Sequence, residues 1–124
     1  PAMAFSAPTP RDGWAACQHL LDQKAPPTAL VVMNDRALPG VLQALAARGL
    51  NVPDDISVVS AVTSSASAEM MVPALTSSDV PSEELARLAV EQLVAAIEGF
   101  PHTDQVLIPC QLVPRASTGP CKSP

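Results

Sequence analysis

Aromatic side chains are nearly absent: Phe5, Trp14 and Phe100 are the whole set, 2% of 124 residues, and there is no tyrosine. A core must therefore come from aliphatic side chains and alanine, for which a 48% hydrophobic content is enough. Basic residues are also scarce. Seven Lys and Arg stand against twelve Asp and Glu, a net charge of −5, with a pI near 4.7. A surface that grips a phosphate backbone needs a basic face to release counterions. No Lys/Arg cluster exists here, which argues against direct nucleic-acid binding by these residues. The three cysteines, Cys17, Cys110 and Cys121, are odd in number and widely spaced, which fits neither a disulfide framework nor a CxxC metal site. No apolar run approaches the roughly 18 residues of a membrane span, and no signal peptide is visible. The chain opens on Pro1 instead of methionine, so its true N-terminus is expected upstream, and the missing signal says little about export.

What is present is a series of short periodic segments, punctuated by most of the 14 prolines. Thr9-Pro10 reads as an N-cap followed by proline at the first helical position, with Asp12 in the first turn. Trp14, Cys17 and Leu21 recur at helical spacing, which predicts a helix to about Asp22. Residues 3–5 could be the end of an earlier strand. Thr28 to Met33 is a continuous apolar run, the pattern of a parallel strand covered on both faces. Asn34 and Asp35 are candidate caps for a helix from about Arg36 to Arg48, closed by Gly49, with Pro39 delaying its start or costing one hydrogen bond. Ile56 to Val62 reads as a second buried strand. A strand, a crossover helix and a strand imply a right-handed parallel unit, so the pattern is α-β-α-β within a doubly wound, mostly parallel α/β sheet.

Further along, Thr63 to Ser67 is a small-residue loop, Ala68 to Met71 one helical turn, and Leu75 to Ser78 a brief strand. Ser82 would cap a longer helix with Glu83 and Glu84 in its first turn and Gly99 closing it. Val106 to Ile108 and Gln111 to Val113 read as short strands. We expect a structured domain over residues 1–117 and a disordered tail over 118–124.

Chemistry is hard to find in this pattern. His19 and His102 lack a Ser or Cys partner at recognisable spacing. Asp54-Asp55 and Glu83-Glu84 read as turn and helix-start carboxylates. There is no nucleophile elbow, Gly-rich phosphate loop or metal cluster. The chain is therefore read as a non-enzyme with no metal, no cofactor and no catalytic residue.

Four blocks, in order, carry a resemblance. "VVMNDRALPGVLQALAARGL" after Pro27-Thr28-Ala29, "NVPDDISVVSAV", "PALTSSDVPSEELARLAVEQLVAAIEG" and "LIPCQLVPRASTGP" cover about 110 residues. Together they resemble the C-terminal part of LacI/GalR-family transcription regulators. The resemblance implies a periplasmic-binding-protein-like type I fold, present in part: the C-terminal lobe plus a piece of the N-terminal lobe. It implies a small effector such as a sugar, held between lobes at the carboxyl ends of the strands. It also implies a homodimer, cytoplasmic and without membrane contact, that reaches DNA only through a helix-turn-helix absent from this chain. A substrate-binding protein of a sugar transport system shares the fold and is the alternative. The helix from Glu83 to Glu98 would pack in the lobe not present here, so an unsatisfied apolar face is expected.

The resemblance also nominates residues. Asn34 and Asp35 match the family's Asn-Asp turn, where each could contact ligand or cap the next helix. Phe5 is the better stacking ring near a position that ungapped counting assigns to Pro8. The family strand ends in an aspartate that holds the effector, whereas this chain has Val62 there, or Thr63 if the loop shifts. The amide common in the T-T-x-x-Q crossover is likewise replaced by Val80. Val41, Leu42 and Leu45, with Met70 and Met71, match regions used for dimerisation.

Overall fold

The computed structural model describes residues 2–103 and 105–121, and for Val62 the backbone only. Helix α1 spans Pro10–Leu21; Thr9, in extended backbone, accepts the Asp12 N–H at 3.1 Å and Pro10 fills the first turn. Its buried positions Gly13, Cys17 and Leu21 are four residues apart, one stripe of a helix. Strand β1 is Ala29–Val32. Asn34 then caps a 3-10 turn over Asp35–Ala37, and helix α2 runs Leu38–Ala47 with Pro39 in its first turn. Proline thus delays the helix by one turn, because its ring cannot sit in the helix interior. Gly49 follows at φ 68°, a left-handed closure that suits glycine.

Strand β2 is Ser57–Thr63 and helix α3 is Ser65–Met70, capped by Ser64 on the Ser67 N–H. Strand β3 is Thr76–Asp79, helix α4 is Ser82–Glu98 ending at Gly99 (φ 75°), and strand β4 is Gln111–Val113. The strands lie in the order β1-β2-β3-β4. The first two pairings are parallel, with Leu30 opposite Val58 and Val59 opposite Thr76; β4 returns antiparallel, with Ser77 opposite Val113. This is a mostly parallel α/β sheet, as the sequence pattern predicts.

One core joins α1, α2 and α3 to the sheet: Cys17, Leu21, Leu30, Val41, Leu45, Ile56, Val58, Ala68 and Leu75 are all buried in it. The helices α1 and α2 meet backbone to backbone at two glycines. A Cβ on Gly40 would lie 1.7 Å from the Pro10 carbonyl oxygen, and one on Gly13 would lie 2.4 Å from that of Ala37. At the far end of the same helices, Arg48 bridges Asp22 and Gln18, each at 2.6 Å. Bridges this exposed contribute at most about 1 kcal/mol.

Several expectations need correction. Strand β1 is covered on one face only: Leu30 is buried, while Val31 is 67% exposed. Uniform hydrophobicity there reflects a second face that no described residue covers. Val106–Ile108 and residues 3–5 form no strand. Thr118 and Gly119 belong to the folded body, since Thr118 Oγ1 meets Thr76 Oγ1 at 2.8 Å and the Gly119 N–H donates to Ser57 Oγ; residues 122–124 lie outside the described residues. Val41 and Leu45 are buried in this chain's own core, and Leu42 packs half-buried against it. Helix α4 has no buried residue, and Leu85, Val90, Leu93, Val94 and Ile97 are exposed on it, the unsatisfied apolar face that was expected.

Candidate functional site: a cleft at the carboxyl ends of the strands

Three parallel strands deliver their carboxyl ends to one opening of about 290 Å³. From β1 come Met33, Asn34 and Asp35; from β2, Thr63 and Ser64; from beyond β3, Val80 and Ser82. Open parallel sheets gather ligands at this edge because the chain turns away from it into helices, leaving loops and helix starts exposed.

Each wall is built by local geometry. Asn34 sits in extended backbone, where its Oδ1 accepts the Arg36 N–H at 3.0 Å. Capping uses the oxygen, and the Asn34 amide nitrogen retains its two N–H donors. The β2 wall depends on a register shift. Val59 and Ser60 pair with Thr76 and Ser77, but the next paired residues are Thr63 and Asp79, so β2 carries one extra residue at 61–62. Such a bulge re-aims the side chains that follow it. It carries Thr63 to the cleft lining, where the residue is buried and its hydroxyl has only a weak 3.5 Å contact with the Ser64 carbonyl. On the third wall, Ser82 Oγ donates to the Val80 carbonyl at 3.3 Å.

Beneath this edge lies an ionic cluster. Arg115 Nη2 is 3.2 Å from Asp79 Oδ2, and both side chains are largely buried. Asp79 also accepts hydrogen bonds from the Ser65 and Ser77 hydroxyls. Burial pushes the Asp79 carboxyl up, but the two hydroxyls and the Arg115 guanidinium outweigh it and hold the group below its ordinary value. Asp79 is therefore a carboxylate at neutral pH.

The charge at the cleft itself is sparse. Among the described residues Asp35 is the one ionisable side chain in its lining; the rest are hydroxyls, one amide, and the apolar Met33 and Val80. The described lining offers hydrogen-bond partners for an uncharged ligand and no cation for an anionic one. Among the described residues no cluster of His, Cys, Asp and Glu could hold a metal ion.

Of the nominated residues, Asn34, Asp35 and Thr63 come together here. Phe5 does not: it is 91% exposed and lines a separate groove of about 520 Å³ along α1, with Met3, Asp12 and His19. That groove is larger and shares no lining residue with the cleft. The side chain of Val62 lies outside the described residues. Sequence reasoning missed Ser64 and Ser82 as lining residues, having read them as loop and helix cap. It also missed Asp79 and Arg115, whose signal is a lone carboxylate and a lone guanidinium 36 residues apart.

Comparison with known proteins follows the same outline. A family described as "Periplasmic binding protein-like domain" matches residues 2–118. The Lactose operon repressor of Rhizobium radiobacter is 31% identical over 105 residues, covering 85% of this chain and 92% of that protein. The HTH-type transcriptional repressor PurR of Edwardsiella ictaluri is 38% identical over 88 residues, 71% of this chain but 26% of the repressor. Among solved structures, a LacI family transcriptional regulator from Bifidobacterium animalis subsp. lactis superposes with a TM-score of 0.88 at 28% identity, covering 96% of this chain and 44% of that one. A LacI family regulator from Arthrobacter sp. FB24, solved in complex with lactose, gives 0.78 at 28% identity, covering 90% of this chain and 42% of that one. The chain thus spans less than half the length of these solved relatives.

Proposed function

This chain belongs to the periplasmic binding protein-like family, as the C-terminal part of a LacI-type effector domain, and from that premise we propose that it senses a small uncharged, hydroxylated metabolite of the sugar class. The cleft at the strand ends is the observation that carries the reading. Asn34, Asp35 and Thr63 supply hydrogen-bond partners, and Met33 and Val80 supply an apolar surface for the face of a sugar ring. The lactose bound in the Arthrobacter relative supports that ligand class. Ligand binding would shift a two-state equilibrium and so change operator affinity, with DNA held by a helix-turn-helix beyond these residues, as in the HTH-type repressors it resembles. The acidic balance of this chain agrees with a role away from the DNA. A cytoplasmic homodimer without membrane contact completes the reading. The transport-protein alternative is not favoured, because the curated relatives are named as repressors.

A thermal-shift panel of mono- and disaccharides, lactose included, with nucleobases as a second class, tests this on the full chain. A sugar present at 100 times its dissociation constant stabilises the folded state by about 2.7 kcal/mol, a readily measured rise in melting temperature. Asn34→Ala and Thr63→Val should each weaken binding about tenfold, the loss of one hydrogen bond of roughly 1.4 kcal/mol. No shift from any sugar, or a shift that both substitutions leave unchanged, would sink the proposal.

A further inference from the structure

Three cleft positions converge on a single carboxylate that is not itself in the cleft lining. Asp79 precedes the lining residue Val80 and is the register partner of the lining residue Thr63. Its Oδ2 accepts the hydroxyl of Ser65, which follows the lining residue Ser64. Arg115 holds the carboxylate from below: Nη2 reaches Asp79 and Ser65 Oγ at 3.2 Å each, and Nη1 reaches the Leu75 carbonyl at 3.0 Å and Ser77 Oγ at 2.6 Å. The two charged side chains are 13% and 10% exposed. Among the described residues the exposed Glu69, on α3, is the other charged neighbour, 3.6 Å from Arg115.

Helix α3 needs such a tie. Its six residues are far below the length at which a helix persists alone, and only Ala68 is buried. The bulge in β2 interrupts the ladder before Thr63, and the ladder ends at the next pair, Thr63 opposite Asp79, so it does not set the spacing of Ser64 and Ser65 against Val80.

We propose that Asp79 is a positioning residue of the cleft: through Ser65 and Arg115 it clamps the start of α3 to the end of β3, and so fixes the distance between the Thr63–Ser64 wall and the Val80–Ser82 wall. The purpose of that spacing rests on the sugar-sensing reading, but the clamp itself is measurable without any ligand. The carboxylate acts as an ion, because only that form accepts two hydroxyls and the guanidinium at once. Loss of its charge leaves Arg115 buried beside a neutral partner, which releases Ser65.

Amide chemical shifts of the full chain, followed by two-dimensional NMR from pH 7 downward, provide the test. The amides of Ser64, Ser65, Val80 and Ser82 should move together with one midpoint below the ordinary aspartate value, while Leu45 and Val58 in the core stay in place and report that the protein is folded. In Asp79→Asn the common titration should disappear, and the four amides should already sit at their acid positions at pH 7. Independent midpoints at the two walls, or a titration that survives Asp79→Asn, overturns the proposal. Should that variant fail to fold, Ser65→Ala at pH 7 decides, since it keeps the ion pair: displaced Ser64 and Val80 amides support the clamp, and unmoved ones overturn it. A failed sugar panel with an intact common titration would remove the ligand reading and leave the clamp standing.

Discussion

Ser117 is fully buried, and its one hydroxyl serves two strands, donating to the Val58 carbonyl at 2.5 Å and accepting the Thr76 N–H at 2.8 Å. Ser117→Ala would leave both backbone groups without that partner, so urea denaturation should show a loss of about 1–3 kcal/mol. Ser60 presents the opposite case. Its hydroxyl is buried and finds no partner among the described residues, so Ser60→Ala should leave stability unchanged or raise it by up to about 1 kcal/mol. A clear loss would mean that the hydroxyl is bonded. Asp79 sets an acid limit. Its folded value is depressed, so its contribution is fully present above the ordinary aspartate value and is lost as pH falls through the folded one. Stability of the wild type should therefore fall more steeply with acid than that of Asp79→Asn, compared by urea midpoints between pH 7 and 3. At this scale the sequence shows residue types at the strand ends, such as Asn34, but not partnership. Nothing local joins Arg115 to Asp79, whereas Asn34 and its capped turn are adjacent and therefore readable.

The α1–α2 crossing depends on Gly13 and Gly40 having no Cβ. Gly40→Ala would drive a methyl into the Pro10 carbonyl, a backbone atom that cannot swing away. Overpacking of this kind costs about 1–3 kcal/mol, readable as a lowered melting temperature. Leu93→Glu on α4 should change the stability of this chain by no more than about 0.5 kcal/mol, because the helix buries nothing; a large loss would show that α4 is packed in solution. Helices with clear caps were legible from local chemistry, since Thr9-Pro10, Gly49 and Gly99 stand within a turn of observed ends. The Val106–Ile108 segment was not. Its apolar residues look like a strand, but a strand exists only where a neighbour accepts its hydrogen bonds, and β3 pairs with Gln111–Val113 instead.

At the scale of the whole molecule, uncovered apolar surface bears on assembly. Met70 is 83% exposed at the end of α3, beside the half-buried Met71, and half-buried Leu42 lies on α2. If these form the dimer contact, Met70→Asp should weaken dimerisation at least about tenfold in sedimentation equilibrium, while Val41 and Leu45 variants act through folding. An unchanged association constant for Met70→Asp would exclude α3 from the interface. By itself the sequence determined the order of the helices, the strand–helix–strand unit from Thr28 to Val62 and the family outline, because periodicity, caps and turn residues act over a few neighbours. Only the tertiary structure decided which face of β1 is buried, that Thr63 follows a bulge and lines the cleft, and that Asp79 and Arg115 meet. Those outcomes depend on register and on contacts between distant segments, and no local pattern encodes them.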